Sequence, residues 1–274
     1  MKKNRMILLL AAVLWLTSSV SAATIDRIAV RSEAMKKEIP VVVIVPDAAK
    51  SGVRMPVLYL LHGYSGDQET WLNVKPSLPQ MADRDSVIVV CPDGENSWYW
   101  DSPKDPSSRF ETFVARELID YVDAHYLTRG DRSGRAITGL SMGGHGGLWL
   151  SFRHKDTFGA GGSTSGGVDI RPFPENWEMA KQLGEEATNR KTWDDHTVMT
   201  QLDSISNGDL ALVIDCGYDD FFFDVNNKLH EALRERGIEH DYTVRPGVHN
   251  GPYWTNSIDY QWLFFKKFFD RSGR

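Results

Sequence analysis

Residues Ala136–His154 compress an apolar strand, a turn with glycines on both sides of a serine, and an apolar helix into about 19 positions. The strand is Ala136–Leu140, the turn Ser141-Met142-Gly143-Gly144-His145-Gly146, and the helix Leu148–His154. A strand that passes straight into a helix must bend sharply, and the residue at the bend takes a strained conformation. Gly139 and Gly143 remove side chains that would collide there. Such a unit sits in a parallel sheet whose strands connect through helices, so it restricts the chain to α/β architecture and exposes Ser141 at a strand end.

The rest of the chain keeps the alternation. Thr24–Ser32 alternates as a leading strand, and Pro40–Val45 is a β-branched run suited to burial on both faces. Val57–Leu61 and Val87–Cys91 repeat the pattern and end in the turn signals His62-Gly63 and Pro92-Asp93-Gly94. Phe110–Tyr126 reads as an amphipathic helix with Phe113, Leu118, Ile119 and Val122 on its apolar side. Phe158–Gly162 and Leu210–Cys216 read as core strands, followed by helix Phe222–Arg236, strand His240–Val244 and a terminal helix over Ile258–Phe269. The pattern predicts a mostly parallel central sheet flanked by helices on both faces. Residues 167–208 are too many for a turn, and the helix-compatible stretch Pro174–Glu186 predicts a small cap insertion beside the carboxyl edge of the sheet.

Composition sets the outer bounds. With 41% hydrophobic and 25% charged residues, the chain is ordinary for a globular protein and large enough to bury a core without a metal or disulfide staple. The first 22 residues read differently: Lys2, Lys3 and Arg5, then the apolar run Met6–Leu16, then Val20-Ser21-Ala22 form an export signal with a small-residue cleavage site. The apolar run of about 11 residues is too short for a stable membrane span, which needs roughly 20. The domain is therefore expected over residues 23–274, exported to the periplasm or the medium. Loss of Lys2, Lys3 and Arg5 takes the formal charge from −6 to −9. That balance argues against nucleic acid and anionic membranes as partners and favours a small-molecule or oligosaccharide substrate.

A serine hydroxyl is a weak nucleophile until a base accepts its proton, and the base needs a third group to fix its tautomer. Both follow Ser141. Cys216-Gly217-Tyr218-Asp219-Asp220 trails one core strand and Pro246-Gly247-Val248-His249-Asn250-Gly251 trails the last, giving the order Ser, Asp, His. Of the eight histidines, His125, His154, His230 and His240 lie in or beside ordinary helix and strand patterns, and His196 lies in the cap; His249 has the loop setting. His145 reads as packing the elbow and His62 as packing a turn. Asp219 and Asp220 are equivalent on spacing alone, whereas Asp215 is still inside the strand and reads as structural. An acyl-transfer oxyanion needs fixed backbone donors, for which Met142 N–H and Tyr64 N–H are the candidates. Trp98, Tyr99 and Trp100 read either as an aromatic wall for substrate or as packing between cap and sheet.

No cofactor or metal is expected. His145 and His154 are nine positions apart, which does not set them together on one helix face. The glycine-rich run Gly161–Gly167 lacks the lysine and spacing of a phosphate loop.

Leu60-Leu61-His62-Gly63, Pro92-Asp93-Gly94 leading to Ser97-Trp98-Tyr99, Gly139–Gly144, Cys216–Phe221 and Gly247-Val248-His249 with Trp254 soon after are marks shared with a known group. Over residues 35–270 the chain resembles the putative-esterase family of α/β-hydrolases, which includes feruloyl and acetyl esterases, S-formylglutathione hydrolases, siderophore esterases and mycolyltransferases. The resemblance implies the α/β-hydrolase fold, selects Asp220 as the acid, supports Tyr64 and Met142 as oxyanion donors, and adds Trp254 to the candidate substrate contacts. It implies a strand order that holds Cys91 and Cys216 apart as free thiols. The activity implied is an exported serine carboxylesterase acting on carbohydrate-linked acetyl or feruloyl groups. Transfer to a sugar acceptor, an S-formylglutathione-hydrolase-like thioesterase, disfavoured by the export signal, and a non-catalytic binding module are the alternatives.

Overall fold

The computed structural model describes residues 23–272; the export segment expected over 1–22 lies outside the described residues. Eight strands form one sheet in the order β1-β2-β4-β3-β5-β6-β7-β8. β1 (Thr24–Ser32), β2 (Lys37–Val45) and β4 (Ile88–Pro92) pair antiparallel in that order. From β4 the sheet is parallel, through β3 (Val57–Leu61), β5 (Arg135–Gly139), β6 (Ala160–Thr164), β7 (Ala211–Gly217) and β8 (Asp241–Arg245).

Two helical layers cover this sheet because its central strands are apolar on both faces. Val41, Val43, Val57 and Tyr59 point into one core, shared with Phe110, Phe113, Leu118 and Trp149. Their neighbours Val42, Ile44, Leu58 and Leu60 point the other way, onto Trp71, Leu78, Ile258 and Trp262. The helices are α1 (Thr70–Val74), α2 (Leu78–Asp85), α3 (Phe110–Thr112), α4 (Leu118–His125), α5 (Met142–Arg153), α6 (Met179–Leu183), α7 (Arg190–Asp195), α8 (Phe223–Glu235) and α9 (Gly251–Ser272). The expected helix Phe110–Tyr126 is interrupted by a π turn at Phe113–Glu117.

The insertion over 167–208 carries α6, α7 and 3-10 turns at Glu186–Thr188 and Val198–Ser204. Its Met179, Leu183, Trp193 and Leu202 join the same core as Trp149, so it has no separate hydrophobic centre. Several boundaries differ from expectation. α5 begins at Met142 rather than Leu148, and β2 at Lys37 rather than Pro40. Phe158 precedes β6 as a buried loop residue. α9 begins at Gly251 rather than Ile258, because Pro252 in the first turn lacks an N–H that a helix start cannot satisfy anyway.

Candidate active site

The β5–α5 junction forms the bend expected from its glycines. Ser141 sits at φ 57°, ψ −118°, its N–H donates to Thr164 O at 2.9 Å, and its carbonyl accepts His145 N–H at 3.0 Å. A Cβ on Gly143 would come within 2.3 Å of Leu61 O, and one on Gly63 within 2.7 Å of Leu140 Cδ1. The elbow and the turn after β3 thus meet at a separation that side chains at these two positions would prevent. This brings the Gly63-Tyr64 turn against the start of α5, where Met142 supplies a first-turn amide with no intrahelical acceptor.

Asp220 and His249 arrive from the neighbouring strand ends. Asp219 N–H donates to Gly247 O, and Tyr218 N–H to Arg245 O, so the loops after β7 and β8 are joined by their backbones. Asp220 Oδ2 lies 2.9 Å and Oδ1 3.1 Å from His249 Nδ1, and Phe222 N–H donates to Oδ1 at 2.9 Å. His249 Nε2 lies 2.8 Å from Ser141 Oγ. The buried Asp220 carboxylate accepts only, so Nδ1 carries the proton and Nε2 is left as an acceptor for the serine hydroxyl. Asp219 is exposed, which separates two residues that spacing could not.

A cleft of about 390 Å³ opens over Ser141 and His249, walled by Tyr64, Trp177, Phe221 and Trp254 and by the short residues of the Gly63–Gly66 turn. Larger hollows of about 720 and 750 Å³ lie beside His230 and Trp149, away from Ser141, and the smaller cleft is the one that meets a nucleophile. Trp254 lines the cleft. Trp177 and Phe221 were not anticipated; the second stands next to Asp220, and that adjacency is a signal the sequence did hold.

Trp98, Tyr99 and Trp100 do not line the cleft. All three are at most 1% exposed. Trp98 and Tyr99 occupy consecutive left-handed conformations, φ 56° and 61°, and both side chains are buried. Tyr99 OH donates to His62 O, and Trp100 Nε1 donates to His145 Nε2 at 2.9 Å. The packing between cap and sheet is what the structure shows: Trp98 and Trp100 meet Trp177 and His196 of the insertion on one side and His145 of α5 on the other.

Three buried groups hold these segments. Gly94 N–H donates to His62 Nε2 at 2.7 Å, leaving Nδ1–H for Gly63 O, also at 2.7 Å. His145 accepts from Trp100 and donates through Nδ1 to Gly167 O, and burial pushes its pKa down to about 3. Asp215 accepts from Ser257, Gln261 and Thr164 and pairs with Arg245 at 3.2 Å, joining β6, β7 and β8 to α9; burial raises its pKa. Among the described residues no group of three or more His, Cys, Asp or Glu is placed to hold a metal, and no helix is long and apolar enough to cross a membrane.

The fold with this hydrogen-bonded serine, imidazole and carboxylate defines a serine hydrolase of the α/β-hydrolase superfamily that acts on ester bonds. The chain belongs to the putative-esterase family, whose model matches residues 32–265. It is 27% identical over 223 residues to an acetyl esterase of Caldicellulosiruptor saccharolyticus, covering 76% of this chain and 83% of the relative. A solved ferulic acid esterase is 27% identical with a TM-score of 0.74, over 91% of this chain and 99% of that one. The fluorophosphonate-binding serine hydrolase F of Staphylococcus aureus shares the fold at a TM-score of 0.81 and 21% identity, over 89% and 98%.

Proposed function

We propose that this protein is an exported serine carboxylesterase that removes acetyl or feruloyl groups from carbohydrates, with Ser141 as nucleophile, His249 as general base and Asp220 as its orienting acid. The observation that carries the reading is the unbroken line from Asp220 through His249 Nδ1 and Nε2 to Ser141 Oγ, at 2.9 and 2.8 Å.

In this reading Ser141 Oγ attacks the ester carbonyl carbon as its proton passes to His249 Nε2. Asp220 stabilises the imidazolium that forms. The carbonyl oxygen becomes negative beside Tyr64 N–H and Met142 N–H, donors fixed in advance by the turn after β3 and the start of α5. Collapse breaks the bond to the alcohol oxygen, which takes the proton from Nε2. Water then repeats the sequence on the acyl-serine and releases the acid. Carbohydrate esters are supported by the aromatic cleft and by relatives named acetyl esterase and ferulic acid esterase. Export is supported by the basic start, the apolar run Met6–Leu16 and Val20-Ser21-Ala22.

The test is a panel of short aryl, acetyl-sugar and feruloyl-sugar esters run on the wild type and Ser141→Ala, with fluorophosphonate labelling of both. Hydrolysis and labelling in the wild type, with at least a ~10³-fold loss in the variant, are expected. Absence of hydrolysis across the panel, or equal labelling of the variant, overturns the assignment. Acyl transfer to an added sugar in preference to water would reassign the reaction as transferase, and preference for a thioester would reassign the substrate. The amino terminus of protein recovered outside the cytoplasm should begin at Ala23.

A further inference from the structure

His249 fixes which side of the cleft receives each half of an ester. Nε2 gives the proton to the departing oxygen, so the alcohol half lies against whatever surrounds the imidazole and the acyl half extends away from it. This orientation rests on the reading of Ser141 and His249 given above.

The surroundings of the imidazole are aromatic. The Phe221 ring lies 4.2 Å from that of His249, tilted 36°, and Trp254 meets it edge-on at 5.0 Å. Trp177, from the insertion over 167–208, stacks on Phe221 at 5.7 Å and 25°. The remaining wall is Gly63, Tyr64, Ser65, Gly66, Thr70 and Leu140, in which Tyr64 is the one aromatic residue and Gly63, Ser65, Gly66 and Thr70 have short side chains or none.

The aromatic surface does more than support His249, because it continues outward. Phe221 is 51% exposed, Tyr218 49% and Val248 44%. These residues belong to the two loops that the bonds from Tyr218 and Asp219 to Arg245 and Gly247 hold together. Phe221 lines the cleft, and Tyr218 and Val248 are exposed on the same two loops, so these loops offer further apolar surface beside it. The cap holds Trp177 there under strain: Trp177 and Glu178 are consecutive left-handed residues, φ 48° and 53°. The Glu178 carboxylate bonds Lys181, and burial followed by the charge of Glu178 raises the Tyr64 phenol pKa, so the strained pair stands near the turn on the other side of the cleft.

We propose that Trp177 and Phe221, extended by Tyr218 and Val248, form the alcohol subsite and bind the saccharide half of the ester, while the Gly63–Thr70 side takes a short acyl group such as acetyl. A pyranose ring offers a face of C–H groups that covers an aromatic ring while its hydroxyls stay in water, which matches a flat, half-exposed wall. On the side away from His249 a feruloyl ring would meet one aromatic residue, Tyr64, against the three gathered around the imidazole.

The test holds the acyl group at acetyl and varies the alcohol, comparing an acetylated xylo-oligosaccharide with ethyl acetate in the wild type, Trp177→Ala, Phe221→Leu and Tyr218→Ala. The ratio of kcat/KM for the oligosaccharide over ethyl acetate should fall about tenfold in the first two variants and about threefold in the third, mainly through a higher oligosaccharide KM. Tyr218 is at the surface, so its variant reports even where a cap substitution fails to fold. An unchanged ratio, with both esters slowed equally, overturns the proposal by reducing the aromatics to supports for His249. A selective loss of feruloyl over acetyl esters of one alcohol overturns it by placing the acyl group on this wall. Failure of the underlying esterase reading shows separately, as a wild type that hydrolyses neither ester.

Discussion

Tyr99 OH donates to the carbonyl oxygen of His62 at 3.1 Å, so a residue of the strained aromatic run holds the peptide that enters the Gly63-Tyr64 turn. The Tyr99 ring fills the space over Gly94 and Gly146, where an added Cβ would lie 2.4 Å from it. Tyr99→Phe keeps the ring and deprives a buried carbonyl of its donor. The expected result is a kcat about 3- to 10-fold lower with KM for small esters little changed, and a loss of about 1 kcal/mol in stability. Steady-state kinetics and a urea midpoint check both; unchanged kcat removes Tyr99 from any part in positioning the turn.

Asp220→Asn offers His249 an amide in place of an acceptor-only carboxylate, which admits the tautomer with its proton on Nε2. That nitrogen then cannot accept from Ser141. A kcat loss of about 10³- to 10⁴-fold is expected. Asp219→Asn, at an exposed position, should stay within about threefold of wild type. The reverse pattern would exchange the two aspartates.

His145 couples stability to pH. Burial is the larger cause of its lowered pKa and the bond to Gly167 O only partly opposes it, which leaves the folded value at about 3. The unfolded imidazole titrates at its ordinary value of about 6.5, so below that pH the unfolded chain binds a proton that the folded one refuses. Stability is fully present above about pH 6.5, falls as pH drops, and levels near pH 3. The span amounts to about 5 kcal/mol, order of magnitude, from this group. Urea midpoints at pH 7, 5 and 4 should converge between wild type and His145→Gln as the pH falls; parallel curves would show that His145 does not carry the effect.

Cys91 in β4 and Cys216 in β7 are buried free thiols with β3, β5 and β6 between their strands. Burial raises both thiol pKa values. The native protein should resist a thiol-directed reagent and expose two reactive groups on unfolding, and a reductant should leave Tm unchanged within about 1 °C. Rapid native labelling would contradict the packing around these strands.

The fold and the Ser141, Asp220 and His249 positions were legible because each depends on a short segment: glycines around a bend, or a polar residue just past an apolar strand. The cleft wall was not, because it is assembled from separate parts of the chain. Trp177 comes from the insertion, and no local pattern says that it will stack on Phe221. For Trp98, Tyr99 and Trp100 the sequence leaves substrate wall and packing open, and the structure decides for packing. Trp98 and Tyr99 take two successive positive φ angles, which bulky residues seldom adopt, and the aromatic composition of the run says nothing about that backbone. The start of α9 was legible in principle, since Gly251-Pro252 is a helix-opening pair.

Ser141 and His249 are 108 positions apart, and His249 is followed at once by α9, whose Ser257 and Gln261 fasten it to Asp215 and Thr164. Vectorial synthesis therefore makes Ser141 and the Gly63-Tyr64 turn long before it makes His249 or the helix that braces it. A nascent chain halted once β7 has emerged holds an elbow with no proton acceptor, and it should ignore a fluorophosphonate that labels the released full-length chain. On that expectation the esterase should be silent through most of its own translation, because of the order in which its parts are spelled.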